Sequence, residues 1–385
     1  MPPPVLRFHP RVALLEPFLA MELMERAFEL ERQGRRILHL EIGEPDFPPP
    51  AEAIEACRRA LEARETRYTG SLGLPELREA IAADVSVRAG VTVRPEQVLV
   101  TAGTSPAMLL VFALLAGPGD EVVLGTPHYP CYPNFIRFCG AEPILVRTEA
   151  GDGWIPDPER VARAVGPRTR AIVVASPANP TGAVIPPDVL EALAALGPPL
   201  VADHIYDGLV YGPTEAPSAL RYSERAFVVD GFSKRYAMTG FRLGYAVVPD
   251  EALRPLQTMQ QNLFICANRF VQHAGIAALR HGEATIRTAR ERFEVRRDRI
   301  VEGLRELGFG VPTVPEGAFY VLADARPFET DSRSLARRLL EEAGVAVTPG
   351  IDFGRAAEGW LRFSYAQPDS VLDEALDRLG AALRS

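Results

Sequence analysis

From Gln97 to Ser233 the chain repeats one pattern, a short apolar run followed by a helical stretch or a turn. QVLVTAG, EVVLGTP, EPILVRT, RAIVVASP, PLVADHIY and AFVVDGFS each carry apolar runs too short for a helix and rich in Val, Ile and Leu. Near-continuous runs of this kind belong to strands buried on both faces, not to half-exposed ones. Helical stretches separate several of them, TSPAMLLVFALL first and residues 157–165 and 186–196 later. Strands alternating with helices predict an α/β fold built on a parallel sheet covered on both faces. In such sheets ligands bind at the carboxyl ends of the strands, so the chemistry is to be sought there.

The flanks are less regular. Residues 16–36 have helical apolar spacing, ILHLEIG reads as a strand ending at Gly43, and EPDFPPP is a proline-rich crossing. Residues 51–64 and 75–89 look helical, the second opened by Pro75 at a first-turn position. GYAVVP is the last strand before a break. A long polar helix near 283–307, the strand GAFYVLAD, a helix near 332–343, GVAVTPG, LRFSYA and a final helix follow. This organisation predicts a large domain over 46–285, a small α+β domain over 286–385, and an N-terminal segment, 1–45, packing with the small domain. There is no internal repeat.

Composition excludes several classes. A net charge of −8 argues against a nucleic-acid or anionic-membrane binder. No apolar run approaches the roughly 18 residues that span a bilayer. MPPPVLRFHP lacks the layout of a signal peptide. Cys57, Cys131, Cys139 and Cys266 make neither a CxxC pair nor a zinc spacing, so no metal is expected, and a reduced, cytoplasmic setting follows.

One residue stands apart. Lys234, in DGFSKRYAMTGFRLGY (230–245), is the only lysine among 42 Lys and Arg residues. A guanidinium serves wherever positive charge alone is needed, but it stays protonated. An amine can deprotonate and form a Schiff base with an aldehyde. A chain that uses arginine everywhere else and keeps one lysine points to amine chemistry at that lysine.

Polar groups gather at five strand ends: Gly103, Thr104 and Ser105; His128 and Tyr129; Asn179 to Gly182; Asp203 and Tyr206; Ser233 and Lys234, with Arg242 eight residues on. The ordered set YTGSLGLPELREAI, AGTS, SPANPTG, ADHIYDGL, SKRYAMTGFRLGY and LRFSYA resembles the class I/II aminotransferases of pyridoxal-phosphate fold type I, in the aspartate, aromatic and alanine aminotransferase branch. The resemblance runs from about residue 10 to the C-terminus. It implies a mostly parallel seven-stranded sheet between helices, a smaller α+β domain, and a homodimer with active sites at the subunit interface.

The same resemblance implies roles. Lys234 would hold pyridoxal 5'-phosphate as an aldimine and, once displaced, shuttle the substrate proton. Asp203 would pair with the pyridine nitrogen; Tyr206 and Asn179 would hydrogen-bond the phenolic oxygen; Tyr129 would stack on the ring, with His128 and Tyr132 as neighbouring alternatives. Gly103, Thr104 and Ser105 at a helix start, with Arg242, would hold the phosphate, and Tyr68 would reach the partner subunit's phosphate. Arg362 would clamp the substrate α-carboxylate beside Asn179 and Gly43. Gly231 departs from relatives that carry a phosphate-binding serine there. The implied activity is amino transfer from an α-amino acid to a 2-oxo acid, 2-oxoglutarate being the expected acceptor. A carbon–sulfur β-lyase on the same fold is the alternative. Gln257 stands where dicarboxylate-specific relatives carry a second arginine, which favours an apolar or aromatic donor and leaves aspartate open.

Overall fold

The computed structural model describes residues 6–384; the first five residues of the expected 1–45 segment lie outside the described residues. Helix α1 (Leu19–Arg32) is followed by strand β1 (Leu38–His39), α2 (Ala51–Glu62) and α3 (Pro75–Ala89). The alternating stretch runs β2 (Val98–Thr101), α4 (Thr104–Leu115), β3 (Glu121–Thr126), α5 (Cys131–Phe138), β4 (Glu142–Arg147), α6 (Pro158–Ala164), β5 (Thr169–Ala175), α7 (Pro187–Ala194) and β6 (Leu200–Asp203). Strands β7 (Phe227–Gly231) and β8 (Gly244–Val247) precede α8 (Asp250–Leu263), α9 (Arg269–His281) and α10 (Glu283–Leu307). The remainder is β9 (Tyr320–Asp324), α11 (Ser332–Arg338), β10 (Val345–Ala346), β11 (Thr348–Pro349), β12 (Trp360–Ser364) and α12 (Asp369–Arg384).

The seven-stranded sheet has the order β2-β8-β7-β6-β5-β3-β4. All its strands are parallel except β8, which runs antiparallel to β2 and β7. The connection from β7 to β8 explains the exception. It is a loop over residues 232–243 that carries Lys234 and Arg242 and holds only one 3-10 turn, Thr239–Phe241, with no α-helix to carry the chain back to the end where β7 began. Successive residues alternate between two cores. Val98, Ile172, Leu200 and Val228 enter one, and Leu99, Val173, Val201 and Val229 enter the other. The inner strands are therefore buried on both faces, as their apolar runs require; the edge strand β4 departs from that expectation, its residues mixing buried and exposed positions with Leu145 45% exposed.

A three-stranded sheet, β11-β12-β9, and a two-stranded one, β1-β10, share a separate core with α10, α11 and α12. The expected strand ILHLEIG is shorter than its pattern. Only Leu38–His39 forms a ladder, parallel to Val345–Ala346. Beyond it the Leu40 carbonyl accepts from Ser364 N, and the Glu41 carbonyl accepts from the Arg362 side chain instead of a strand partner. The helix expected near 332–343 is α-helical to Arg338 and finishes as one π turn, Leu339–Ala343, stopped by Gly344 in the left-handed conformation. Helices α5, α8 and α9 carry no expectation from the sequence; Pro255 inside α8 interrupts the pattern that would have marked it.

Candidate active site

The carboxyl ends of β5 and β6, the turn after β7 and the start of α4 open onto one cavity of about 230 Å³, lined among others by Thr104, Tyr129, Asn179, Asp203, Tyr206 and Lys234. The remaining wall comes from distant segments: Phe18, Ala20, Met21 and Met24 around α1, Glu41 to Gly43, Tyr320 on β9 and Arg362 on β12.

Lys234 Nζ donates to the Gly43 carbonyl at 2.5 Å. Burial pushes its ammonium down to about 8; Arg362 and Arg242 push the same way, and Glu44 and Asp203 oppose. Asp203 sits at the last position of β6 and is buried. Its Oδ2 accepts from the Tyr132 hydroxyl at 2.5 Å and its Oδ1 from Ile205 N at 3.0 Å. Burial pushes this carboxyl up to about 6, and those two donors hold it from going higher. It is still ionised at neutral pH.

Arg362 is 3% exposed. Its Nη1 donates to Asn179 Oδ1 at 2.9 Å and its Nη2 to Thr348 Oγ1 at 3.0 Å. The guanidinium is flanked by Tyr320 and Phe353, with ring centroids 4.3 and 5.0 Å from its carbon. Its Nε is buried without a hydrogen-bond partner, a donor still to be satisfied. The Tyr206 and Tyr320 hydroxyls lie 2.8 Å apart. Gly43 permits this crowding, since a Cβ there would fall 1.6 Å from the Tyr320 hydroxyl oxygen.

At the other end, α4 starts from Gly103, whose φ of +97° suits glycine. A Cβ on Gly103 would lie 2.6 Å from Arg242 Nη2, so the guanidinium is pressed against the helix start. The first-turn N–H groups of Thr104 and Ser105 have no intrahelical acceptor. Gly231 is confined as well: a Cβ there would approach Leu243 O, Gly244 Cα and Thr104 Cγ2 at 3.0 to 3.2 Å, which disfavours a serine at this position.

Comparison with known proteins decides the family. The family model for "Aminotransferase class I and II" matches residues 35–379. An aspartate/prephenate aminotransferase of Thermus thermophilus is 42% identical over 97% of this chain and 98% of its own length. A valine–pyruvate aminotransferase of Mycobacterium tuberculosis is 38% identical over 97% and 99%. A solved structure of aspartate aminotransferase from Thermus thermophilus with maleate superposes with a TM-score of 0.94 at 41% identity, covering 98% of this chain and all of that one. This chain belongs to the class I and II aminotransferases. It is a fold type I enzyme that depends on pyridoxal phosphate and transfers amino groups between amino and 2-oxo acids.

The aminotransferase site fits that cofactor. A lone lysine with a depressed pKa, an ionised buried carboxylate and a helix start closed by an arginine suit an aldehyde, a ring nitrogen and a phosphate respectively. The structure brings Lys234, Asp203, Tyr206, Asn179, Tyr129, Thr104, Gly43 and Arg362 together around one cavity. Gly103 and Arg242 adjoin it through their mutual contact, and Ser105 follows in the first turn of α4. His128 is not on this wall; its Nδ1 lies 3.1 Å from the Tyr129 carbonyl. Tyr68 is 77% exposed and does not line its own chain's cavity. Sequence reasoning missed Tyr320, Thr348 and the α1 residues. Tyr320 sits in a segment read only as a strand, and no local motif ties residues 18–24 to a site more than two hundred residues away.

Proposed function

We propose that this aminotransferase moves the amino group of an α-amino acid to 2-oxoglutarate at the cavity bounded by Lys234, Asp203 and Arg362. The observation that carries the reading is that the only lysine of the chain, the buried carboxylate and the buried arginine line the same 230 Å³ space. Bound pyridoxal phosphate would supply an aldehyde for amine exchange and a ring that delocalises electron density from the substrate Cα. Lys234 Nζ would hold the cofactor through its aldehyde and would serve as the base for the Cα proton. With its pKa near 8, about one amine in ten is free at pH 7, against about four in ten thousand for an ordinary lysine.

Asp203 would hold a proton on the ring nitrogen, and the hydroxyl of Tyr206 and the amide of Asn179 would face the phenolic oxygen. Tyr129 would cover the ring. Gly103, Thr104, Ser105 and Arg242 would hold the phosphate, and Tyr68 would add a hydroxyl from a second copy in a homodimer. Arg362 Nε, buried and unpaired, suits the substrate α-carboxylate. The division into segment 1–45, large domain 46–285 and small domain 286–385, and a cytoplasmic setting, belong to the same proposal. No described helix is long and apolar enough to cross a membrane. A screen of amino acids against 2-oxoglutarate tests the reading. It expects glutamate formation with an acceptor and none without; pyruvate and ammonia released without an acceptor would contradict it.

A further inference from the structure

The start of α1 is capped from the far end of the chain. Phe18 occupies the N-cap position and makes no side-chain cap; an aromatic residue has no oxygen suited to the role. Asp352 supplies the missing acceptor. Its Oδ1 accepts from Leu19 N at 2.9 Å and its Oδ2 from Ala20 N at 3.2 Å, the first two helical residues. Asp352 is 9% exposed, and burial pushes its carboxyl up to about 6, restrained by those two donors and by Arg362. It therefore caps as a carboxylate at neutral pH, where the helix dipole favours it. The next residue, Phe353, lies beside Arg362, and its carbonyl accepts from His128 N at 3.1 Å. One turn thus touches α1, the carboxylate clamp and the end of β3.

Because Asp352 does the capping, the Phe18 ring is free to line the cavity, edge-on to Tyr129 with centroids 5.9 Å apart. Ala20, Met21, Met24 and Ile42 continue the same wall. The cations on the cavity are Lys234 and Arg362, both assigned to other tasks, and Glu41 adds a carboxylate. Gln257 is not on this wall: its Oε1 accepts from Arg254 Nη1 and its Nε2 donates to Ser71 Oγ. This environment suits an apolar side chain and disfavours an acidic one.

We propose that Asp352 is a positioning residue for the amino donor: by capping α1 it sets Phe18, Met21 and Met24 as the wall that selects apolar side chains. The inference rests on the reading that Arg362 holds the donor α-carboxylate.

The test is steady-state kinetics of the holoenzyme with phenylalanine, alanine and aspartate as donors, for the wild type, Asp352→Ala, Asp352→Asn and Met24→Ala. In the wild type, kcat/KM for phenylalanine should exceed that for aspartate by about tenfold or more. Asp352→Ala should raise the phenylalanine KM about tenfold with kcat within about twofold, and leave the alanine KM within about twofold, because a methyl group does not reach the wall. Asp352→Asn, which keeps one acceptor, should raise it about threefold. Met24→Ala should raise the phenylalanine KM without altering the cap, so the wall is tested even if Asp352→Ala fails to fold. Equal losses for phenylalanine and alanine, an unchanged phenylalanine KM in the variants, or a wild type that favours aspartate would overturn the proposal. Arg362→Lys should weaken all three donors together; if it weakens none, the clamp reading fails, a result distinct from the Asp352 comparison.

Discussion

The two ends of the cavity are built differently. The end assigned to the cofactor is made by consecutive strand ends and by the turn between β7 and β8, all parts of one doubly covered sheet. The end assigned to the donor is assembled from α1, the segment 41–43, Tyr320, the turn near 350 and β12, which come together only through long-range contacts. The sheet end has its shape fixed by backbone ladders and by glycines that admit no side chain. The donor end depends on side-chain contacts such as the Asp352 cap and the stacking around Arg362. The cofactor chemistry is thus placed on the sheet end, while the carboxylate clamp and the choice among donors are left to the end that a few substitutions can reshape.

Predictions that attack the rigid end should be the most severe. Lys234→Arg should keep charge and fold yet lower kcat at least about a thousandfold, because arginine cannot move the proton. Retained fold is checked by circular dichroism and turnover by the amino-acid screen; near-normal turnover would dissolve the distinction between the two ends. Next is Tyr68→Phe, expected to weaken cofactor retention about ten- to a hundredfold, consistent with a charge-assisted hydrogen bond of roughly 1.5–3 kcal/mol. Mixing Tyr68→Phe chains with Lys234→Ala chains sharpens it. A hydroxyl acting in trans leaves one intact site in each mixed dimer, whereas one acting in cis leaves none.

The smallest effect is on pH. The free amine of Lys234 is the reactive form, and its pKa is lowered to about 8. Capture of pyridoxal phosphate by the apoprotein should therefore rise with pH and level off above about 8, not climb on towards the ordinary lysine value near 10.4. Stopped-flow absorbance at a series of pH values gives the profile. A midpoint near the ordinary value would mean that the lysine is not desolvated.

The same contrast explains what could be read from the residues alone. The sheet and its polar strand ends were legible because apolar runs, glycines and a solitary lysine are local signals. The antiparallel β8 was not, since strand direction depends on how a connection closes, not on the composition of the strand. Asp203 and Lys234 announce themselves by lying at or just beyond the ends of strands. Tyr320 and Asp352 do not, because each acts on segments hundreds of residues away: Tyr320 crowds Gly43, and Asp352 caps α1. The α1 pattern marks a helix but cannot say that Met21 and Met24 face a cavity and not a core.

The most direct test of the account is borohydride reduction of the holoenzyme followed by peptide mapping. With one lysine in the chain, the only competing amine is the N-terminus. The reduced cofactor is expected on Lys234, in the peptide containing GFSKR, at close to one label per chain. Label confined to the N-terminal amine, or no label in a protein that retains its cofactor absorbance, would contradict it.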